Sequence, residues 1–397
     1  MNRQKSIVYL GYSRFPVGFA EVQKMILISK SLMTAGNKVT VICRNGTHDR
    51  HKSPGLKVQG AFENIRYVYA SGSVFRNDNF FRRRWFEAKG RLNEIFLLRR
   101  LRRQNELDFV ILSTRSFSSI LFYSFLSKIF RFRTILNYVE YYSALKKGRF
   151  QLGSRLNDKL FDRYAPFLSD AVFPISEFLV AHIKKVSPRT RYLKIPVLTD
   201  FDKYKNLATL AGQKYFLFCG DATYKEVVLF IIDAFGLVSN HDSPDLYLIV
   251  GGNEANQEEI KNYASHSKQN ARIKFFTRLS EKDLYTFYSN ATALLIPLRP
   301  TFQDTARFPH KTGEYLASGN PVISTNYGEI KFYFKDGDNM LIAEQYDTKM
   351  FAEKMQFVLN NPGDAKNIGT RGKNLACRLF DYRSFSETLN GFLNAAF

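Results

Sequence analysis

The densest run of chemistry-bearing residues lies between Phe302 and Thr325. It contains Asp304, Arg307, His310, Lys311 and Glu314, punctuated by Pro309, Gly313, Gly319 and Pro321. Pro309 suits the first turn of a helix, because its missing N–H is not needed there. Gly319 ends that helix, and Pro321-Val322-Ile323-Ser324 reads as a buried strand. An apolar strand, Ala293–Pro297, precedes the whole stretch. The helix N-terminus then points into the crevice at the carboxyl end of a parallel sheet, where open α/β folds bind ligands. Free backbone N–H groups and the helix dipole make that position suited to a diphosphate. Glu314 falls more than one turn into this helix, where a carboxylate accepts hydrogen bonds from a ribose diol. The competing reading makes it a solvated helix residue.

A second stretch follows the first strand, Ile7–Leu10: Gly11, then Phe15-Pro16-Val17-Gly18, then a helix from about Ala20 to Thr34 that stops at Gly36-Asn37. Gly18 at the helix start lets backbone approach a ligand closely. Equally, it is a loop glycine that permits a turn. The spacing is not Gly-x-Gly-x-x-Gly, which argues against a dinucleotide dehydrogenase.

A third stretch is cationic. From Arg76 to Arg103 there are ten Lys and Arg against three acidic residues, with Phe80, Phe81, Trp85, Phe86 and Phe96 interleaved. A basic helix carrying aromatics, centred on Arg82, Arg83, Arg84 and Trp85, reads as an interfacial element for anionic lipid. The alternative is a surface helix whose apolar side is core. Charge across the chain points to the first reading. Residues 1–200 hold 36 Lys+Arg and 14 Asp+Glu, whereas residues 201–397 hold 22 of each, so the whole net charge of +22 sits in the first half. Such asymmetry suggests an anionic partner. No nucleic-acid motif is present, so a nucleic-acid partner is not expected.

The elements that position these residues alternate. Strand-like apolar runs occur at Ile7–Leu10, Lys38–Cys43, Ile65–Tyr69, Phe109–Ser113, Thr134–Tyr138, Ala171–Ile175 and Tyr192–Ile195. They resume at Tyr215–Cys219, Leu246–Val250, Ile273–Phe276, Ala293–Pro297, Pro321–Ser324 and Met340–Ile342. Short apolar strands separated by helical stretches predict parallel sheets covered on both faces. The 397 residues suffice for two such domains. Thr199 to Lys214 lacks periodicity and reads as a linker. The expected division is therefore an α/β domain over 1–199, a second over 200–379, and a terminal helix over 380–397 that packs on its own domain or crosses back to the first. Three scattered cysteines, Cys43, Cys219 and Cys377, lack metal-ligand spacing and fit a reducing compartment. The start of the chain reads as a first strand rather than a signal peptide, so a cytoplasmic protein, peripheral on the inner face of the cell membrane, is expected.

Taken in order, these motifs resemble glycosyltransferase family 4, retaining enzymes with the GT-B fold. The segment Pro309 to Ile323 is similar to the family signature, and Pro16-Val17-Gly18-Phe19-Ala20-Glu21 to its glycine-containing loop. Pro174-Ile175-Ser176-Glu177, Lys194-Ile195-Pro196, Phe218-Cys219-Gly220 with Lys225, Leu248–Gly251 and Asp336–Asn339 follow in the family's order.

The resemblance implies two Rossmann-like domains with parallel sheets facing a central cleft, the first binding acceptor and the second binding a nucleotide-sugar. It implies that Glu314 holds the ribose and that Lys225 neutralises the departing diphosphate, where a fixed ammonium stabilises the transition state most. Gly18, Gly220, Arg307, Phe308, Pro309 and Lys311 join them as donor-binding residues. Glu140, after the strand Thr134–Tyr138, resembles an acceptor-side catalytic position, and reads otherwise as an exposed loop glutamate. No metal or cofactor is implied beyond the nucleoside diphosphate sugar substrate. Two departures stand out. Ala306 occupies the position of the family's first carboxylate, for which Asp304 or Arg307 is the available substitute. Asp221 occupies that of an arginine, for which Arg299 and Arg307 are candidates. The expected activity is sugar transfer to a lipid-linked or surface-polysaccharide intermediate. A GT-B sugar-nucleotide epimerase and a catalytically impaired nucleotide-sugar-binding protein are the alternatives.

Overall fold

The computed structural model describes residues 3–11, 14–18, 20–49, 55–145, 148, 151–210, 212–238, 244–277 and 279–395. Tyr12, Ser13 and Phe19 of the glycine turn lie outside the described residues. The chain divides into two compact units, Met1–Leu198 with Tyr382–Phe397, and Thr199–Asp381.

The first unit is built on an eight-stranded sheet. Its strands are β1 (Ser6–Leu10), β2 (Lys38–Cys43), β3 (Gln59–Phe62), β4 (Ile65–Tyr69), β5 (Phe109–Leu112), β6 (Arg133–Tyr138), β7 (Ala171–Pro174) and β8 (Arg191–Tyr192), in the order β3-β4-β2-β1-β5-β6-β7-β8. All pairings are parallel except β3 with β4. Between the strands run α1 (Ala20–Thr34), α2 (Phe80–Arg103), α3 (Phe117–Phe130), α4 (Leu152–Leu168) and α5 (Glu177–Val186). Strands β1, β5 and β7 are buried at every position, which is why they read as unbroken apolar runs. Sequence periodicity missed β3, whose Gln-Gly-Ala-Phe is mostly exposed and pairs antiparallel at the sheet edge.

The second unit has six strands, all parallel: β9 (Tyr215–Asp221), β10 (Asp245–Gly251), β11 (Ile273–Phe276), β12 (Ala293–Ile296), β13 (Val322–Thr325) and β14 (Leu341–Ala343), in the order β11-β10-β9-β12-β13-β14. Helices α6 (Lys225–Gly236), α7 (Glu254–Ser265), α8 (Glu281–Asn290), α9 (Phe302–Ala306), α10 (Lys311–Ser318), α11 (Ile330–Tyr333), α12 (Thr348–Asn360) and α13 (Pro362–Phe380) connect and cover them. One core cluster joins Phe216, Leu248, Leu295 and Ile323 of the sheet to Val228, Ile231 and Phe235 of α6 and Phe351 and Met355 of α12. The stretch read as a linker is integral to this unit. Asp200 caps a short 3-10 turn at Phe201–Tyr204, and Asn290 fixes the backbone at Ala208 and Leu210.

After α13 the chain leaves this unit, and α14 (Ser386–Ala395) packs in the first unit's core. Leu389 and Leu393 join Ile28 and Leu32 of α1, Phe392 meets Phe173 of β7 at 5.8 Å, and Asn390 accepts a hydrogen bond from Asn37. A terminal helix thereby completes the first hydrophobic core. The variant L389A leaves a cavity at a fully buried position, and is expected to cost about 2–5 kcal/mol, seen as a lowered urea midpoint in the far-UV signal.

Candidate functional site

In the second unit, parallel strands place their loops at one edge of the sheet, and the polar residues collect there. Strand β12 ends at Ile296, and Arg299 follows three residues later. Thr301 caps the short helix α9 by accepting from the Asp304 N–H, which turns the Asp304 carboxylate back towards the strand end. Asp304 is fully buried. Its oxygens accept from Arg299 Nε at 2.8 Å, Arg299 Nη2 at 3.1 Å and Arg299 backbone N–H at 2.9 Å, and Arg307 Nη2 lies 2.8 Å away. Burial works against the ionised carboxyl, but the arginines outweigh it and hold the pKa below the ordinary value. Gly328 closes this nest from the loop after β13. It adopts φ +58°, and a Cβ there would lie 2.7 Å from the Asp304 carbonyl oxygen.

Arg299 spends all its nitrogens, adding an ion pair to Glu226 at 2.8 Å. Arg307 keeps its buried Nε–H without a partner among the described residues. Its guanidinium lies 4.3 Å from the centre of the Tyr224 ring, a cation–π contact that the sequence did not disclose. Of the two candidates for the missing arginine, Arg307 is therefore the one with donor capacity left. Ala306, at the family's first carboxylate position, is completely buried, so its side chain reaches no ligand.

Helix α10 begins at Lys311, not at Pro309. The chain arrives extended at Arg307, and His310 takes the cap position with helical angles. Glu314 consequently sits in the first turn rather than beyond it. It is not a solvated residue. Its side chain is 10% exposed, with Oε2 2.8 Å from Lys311 Nζ and Oε1 3.5 Å from His310 Nε2. Burial again opposes ionisation, and Lys311 and His310 outweigh it and lower the pKa. Around this pair lie the Tyr204, Tyr288 and Thr312 hydroxyls, buried and without partners among the described residues. Phe308, expected at the donor, is instead a core residue. It stacks on Tyr333 at 5.5 Å and meets Phe380 edge-on at 5.6 Å.

Lys225 opens α6 and forms an ion pair with Glu259 of α7. Gly220, the penultimate residue of β9, lies against the Phe218 ring, where a Cβ would approach to 2.6 Å. Asp221 caps the turn that follows, accepting from the Thr223 N–H at 2.9 Å. Its carboxylate also sits where a Cβ on Gly252 would fall, 2.7 Å away. Asp221 thus serves the local turn and supplies no positive charge.

The remaining expected residues belong to the first unit. Gly18 lies before α1, where a Cβ would come within 2.4 Å of Val22 Cγ2, so a side chain there would force Val22 to move. Glu140 follows β6, is half-buried, and interacts electrostatically with Glu21. Arg82, Arg83, Arg84 and Trp85 form the first turns of α2. Among the described residues, no three His, Cys, Asp or Glu side chains gather as a metal site.

Because the Asp304 pKa is depressed on folding, its ion pairs stabilise the protein at neutral pH. That contribution is lost as pH falls from the ordinary carboxylate value through the depressed one. D304N is expected to cost about 3–5 kcal/mol at neutral pH and to flatten the acid limb of stability, read from urea midpoints across pH.

Residues 200–375 match the family model described as Glycosyl transferases group 1. The alpha-1,3/1,6-mannosyltransferase ALG2 of Dictyostelium discoideum is 25% identical over 325 residues, covering 71% of this chain and 74% of that protein. Sucrose-phosphate synthase from Thermosynechococcus elongatus is similar in structure with a TM-score of 0.75 at 15% identity, covering 99% of this chain and 98% of that one. HepE of Anabaena, solved in complex with UDP-glucose, gives 0.68 at 14% identity, covering 99% of this chain and 100% of that one. Residues 200–375, nearly all of the second unit, are therefore a group 1 glycosyltransferase domain, and the chain shares the GT-B fold of these neighbours along its length.

Proposed function

We propose that the protein moves a sugar from a nucleoside diphosphate sugar to a lipid-linked or surface-polysaccharide acceptor at an anionic membrane surface, with retention of configuration and without a metal. The observation that carries the donor half is the group of cations at the carboxyl end of the second sheet, Lys225, Arg307 and Lys311, beside the Glu314 carboxylate. HepE, a structural neighbour, binds UDP-glucose, which supports the donor class.

The cations differ in what it takes to recruit them. The Lys225–Glu259 pair is about half exposed on both sides, so separating it costs about 0–1 kcal/mol. A diphosphate readily draws Lys225 away. Arg299, locked to buried Asp304, stays in place and holds the loop. Glu314 takes the ribose diol by sharing the carboxylate that Lys311 and His310 keep ionised. As the anomeric C–O bond to phosphate breaks, negative charge grows on the diphosphate, and Lys225 and Arg307 stabilise that growth. The acceptor oxygen attacks from the face the phosphate leaves, and its proton passes to a phosphate oxygen.

The membrane half rests on three helices of the first unit. In its 24 residues α2 buries only Gly90, Glu94 and Leu98. Phe81 (80% exposed), Trp85 (68%), Leu92 and Phe96 recur along one exposed face, which supports an interfacial role for that face. α3, packed beside α2, exposes Leu121, Phe125 and Ile129 at four-residue spacing. α4, packed beside α3, exposes Leu152, Leu156 and Phe167. Exposed apolar stripes flanked by arginines match an anionic lipid interface. No helix among the described residues is long and apolar enough to cross a membrane.

Four measurements test this reading. A panel of nucleoside diphosphate sugars should raise the melting temperature for the true donor. K225A and E314A should each lower kcat/KM at least about tenfold, and product analysis with donor alone distinguishes transfer from epimerisation. Turnover intact in both variants overturns the donor site. For the membrane, sedimentation with anionic liposomes at low salt should weaken by about two orders of magnitude when Arg82, Arg83 and Arg84 are all reversed to glutamate. Unchanged sedimentation removes the membrane half.

A further inference from the structure

Helix α2 carries its apolar residues on the outside, and something must hold it that way. At about 100° per residue, Phe81, Trp85, Leu92 and Phe96 share an arc of about 60°, while Gly90, Glu94 and Leu98, its buried residues, lie roughly opposite. Arg82 and Arg100 border the apolar arc on one side and Arg84 on the other. Hydrophobic burial alone would roll this helix over and put the aromatic arc against the unit. Leu98 is the one apolar side chain buried in its place.

What opposes the roll is polar. Arg44, directly after β2, donates from Nε to Glu94 Oε2 at 3.0 Å and from Nη2 to the Tyr123 hydroxyl at 2.6 Å. Tyr123, on α3, donates to the same Glu94 oxygen at 2.9 Å. Glu94 and Tyr123 are fully buried. One turn earlier, Gly90 lies so close to Arg44 that a Cβ would sit 2.3 Å from the Arg44 carbonyl oxygen. Asn93 donates to the Ala70 carbonyl at 2.8 Å. Apolar contacts tolerate rotation, since one apolar side chain readily takes another's place. Hydrogen bonds among buried charged groups do not, because they are directional and costly to leave unmade. A buried ion pair adds little net stability over apolar packing, so its use here is to select one arrangement among several.

We propose that Arg44, Glu94 and Tyr123 are positioning residues for membrane docking: they fix the rotation of α2, so that its aromatic arc and the bordering arginines face an anionic bilayer before contact. This rests on the membrane reading and adds the device that keeps the lipid-binding face outward. The bilayer then meets an ordered surface, and association does not have to include the ordering of α2.

The test uses the full-length protein and vesicles of equal parts phosphatidylglycerol and phosphatidylcholine at low salt. Trp85, the only tryptophan of the chain, reports lipid contact by its emission. The variant R44M/E94L/Y123F replaces the triad with apolar side chains, so no buried charge is left alone. Its urea midpoint should stay at or above the wild-type value. Without lipid, its α2 amides should exchange hydrogen at least about tenfold faster than in the wild type. Its vesicle association should weaken about fivefold, with a smaller blue shift of Trp85 at saturation. If that variant folds and either α2 exchange or vesicle association keeps its wild-type value, the proposal is overturned. A fall in midpoint large enough to account for the faster exchange makes the triad a general stability element and overturns it too. E94Q keeps the shape and one acceptor oxygen, and should show the same changes in smaller measure. If the triple variant does not fold, E94Q decides by the same rule. Unchanged sedimentation of R82E/R83E/R84E overturns the membrane reading itself, whereas exchange in α2, measured without lipid, reports on the triad alone.

Discussion

A parallel strand covered on both faces has no polar face to offer. β1, β5, β7 and β12 are buried along their full lengths, so no side chain on them reaches water. Polar chemistry is then confined to where the strands stop. Both units obey this. In the first, Ser113 comes immediately after a strand, Glu140 two residues after another, and Asn137 is the penultimate residue of that second strand. In the second, Asp221 ends β9, Lys225 follows it, and Arg299 follows β12. The same confinement forces opposite charges together. Crowded into a few ångströms and partly desolvated, they must pair or lose their charge.

The pairs so formed divide by burial, and burial decides their role. Arg299 and Asp304 are too enclosed to separate cheaply, so they act as framework. Lys225 and Glu259 are open to solvent, where an ion pair is worth little. The first is suited to fix a loop and the second to exchange partners. Glu314 falls between these cases, buried yet held by a lysine that is itself near the surface. The replacement of a family carboxylate by Ala306 follows the same logic. Ala306 is sealed inside, and the one carboxylate of α9, Asp304, is committed to two arginines.

The sequence made the repeating elements legible because parallel strands announce themselves as apolar runs. Every expected strand has a counterpart, though that expected at Tyr192–Ile195 shrinks to Arg191–Tyr192, and the ends of α1 at Ala20 and Thr34 agree with the sequence reading. Edge strand β3 was invisible, since an exposed antiparallel edge carries no apolar run. The start of α10 was misread because proline tolerates an extended approach as well as a first turn. Phe308 was assigned to the donor by position, while its ring packs on Tyr333 and Phe380. The Glu21–Ser113 contact joins residues 92 apart, and no local pattern marks such a pair. Arg299, Asp304 and Arg307 were individually visible, but only the fold shows which arginine retains a free N–H.

Charge distribution takes on a sharper meaning with the fold in view. The first half of the chain carries the entire excess of +22, and much of it lies on α2 among exposed aromatics. The Glu21–Glu140 pair is an acidic island in that same unit. A uniformly basic unit would attract lipid headgroups everywhere, including to its strand ends. Two carboxylates placed there disfavour an anionic headgroup at that spot. The two signs are thus segregated within one unit, cationic along its helix and acidic at its strand ends.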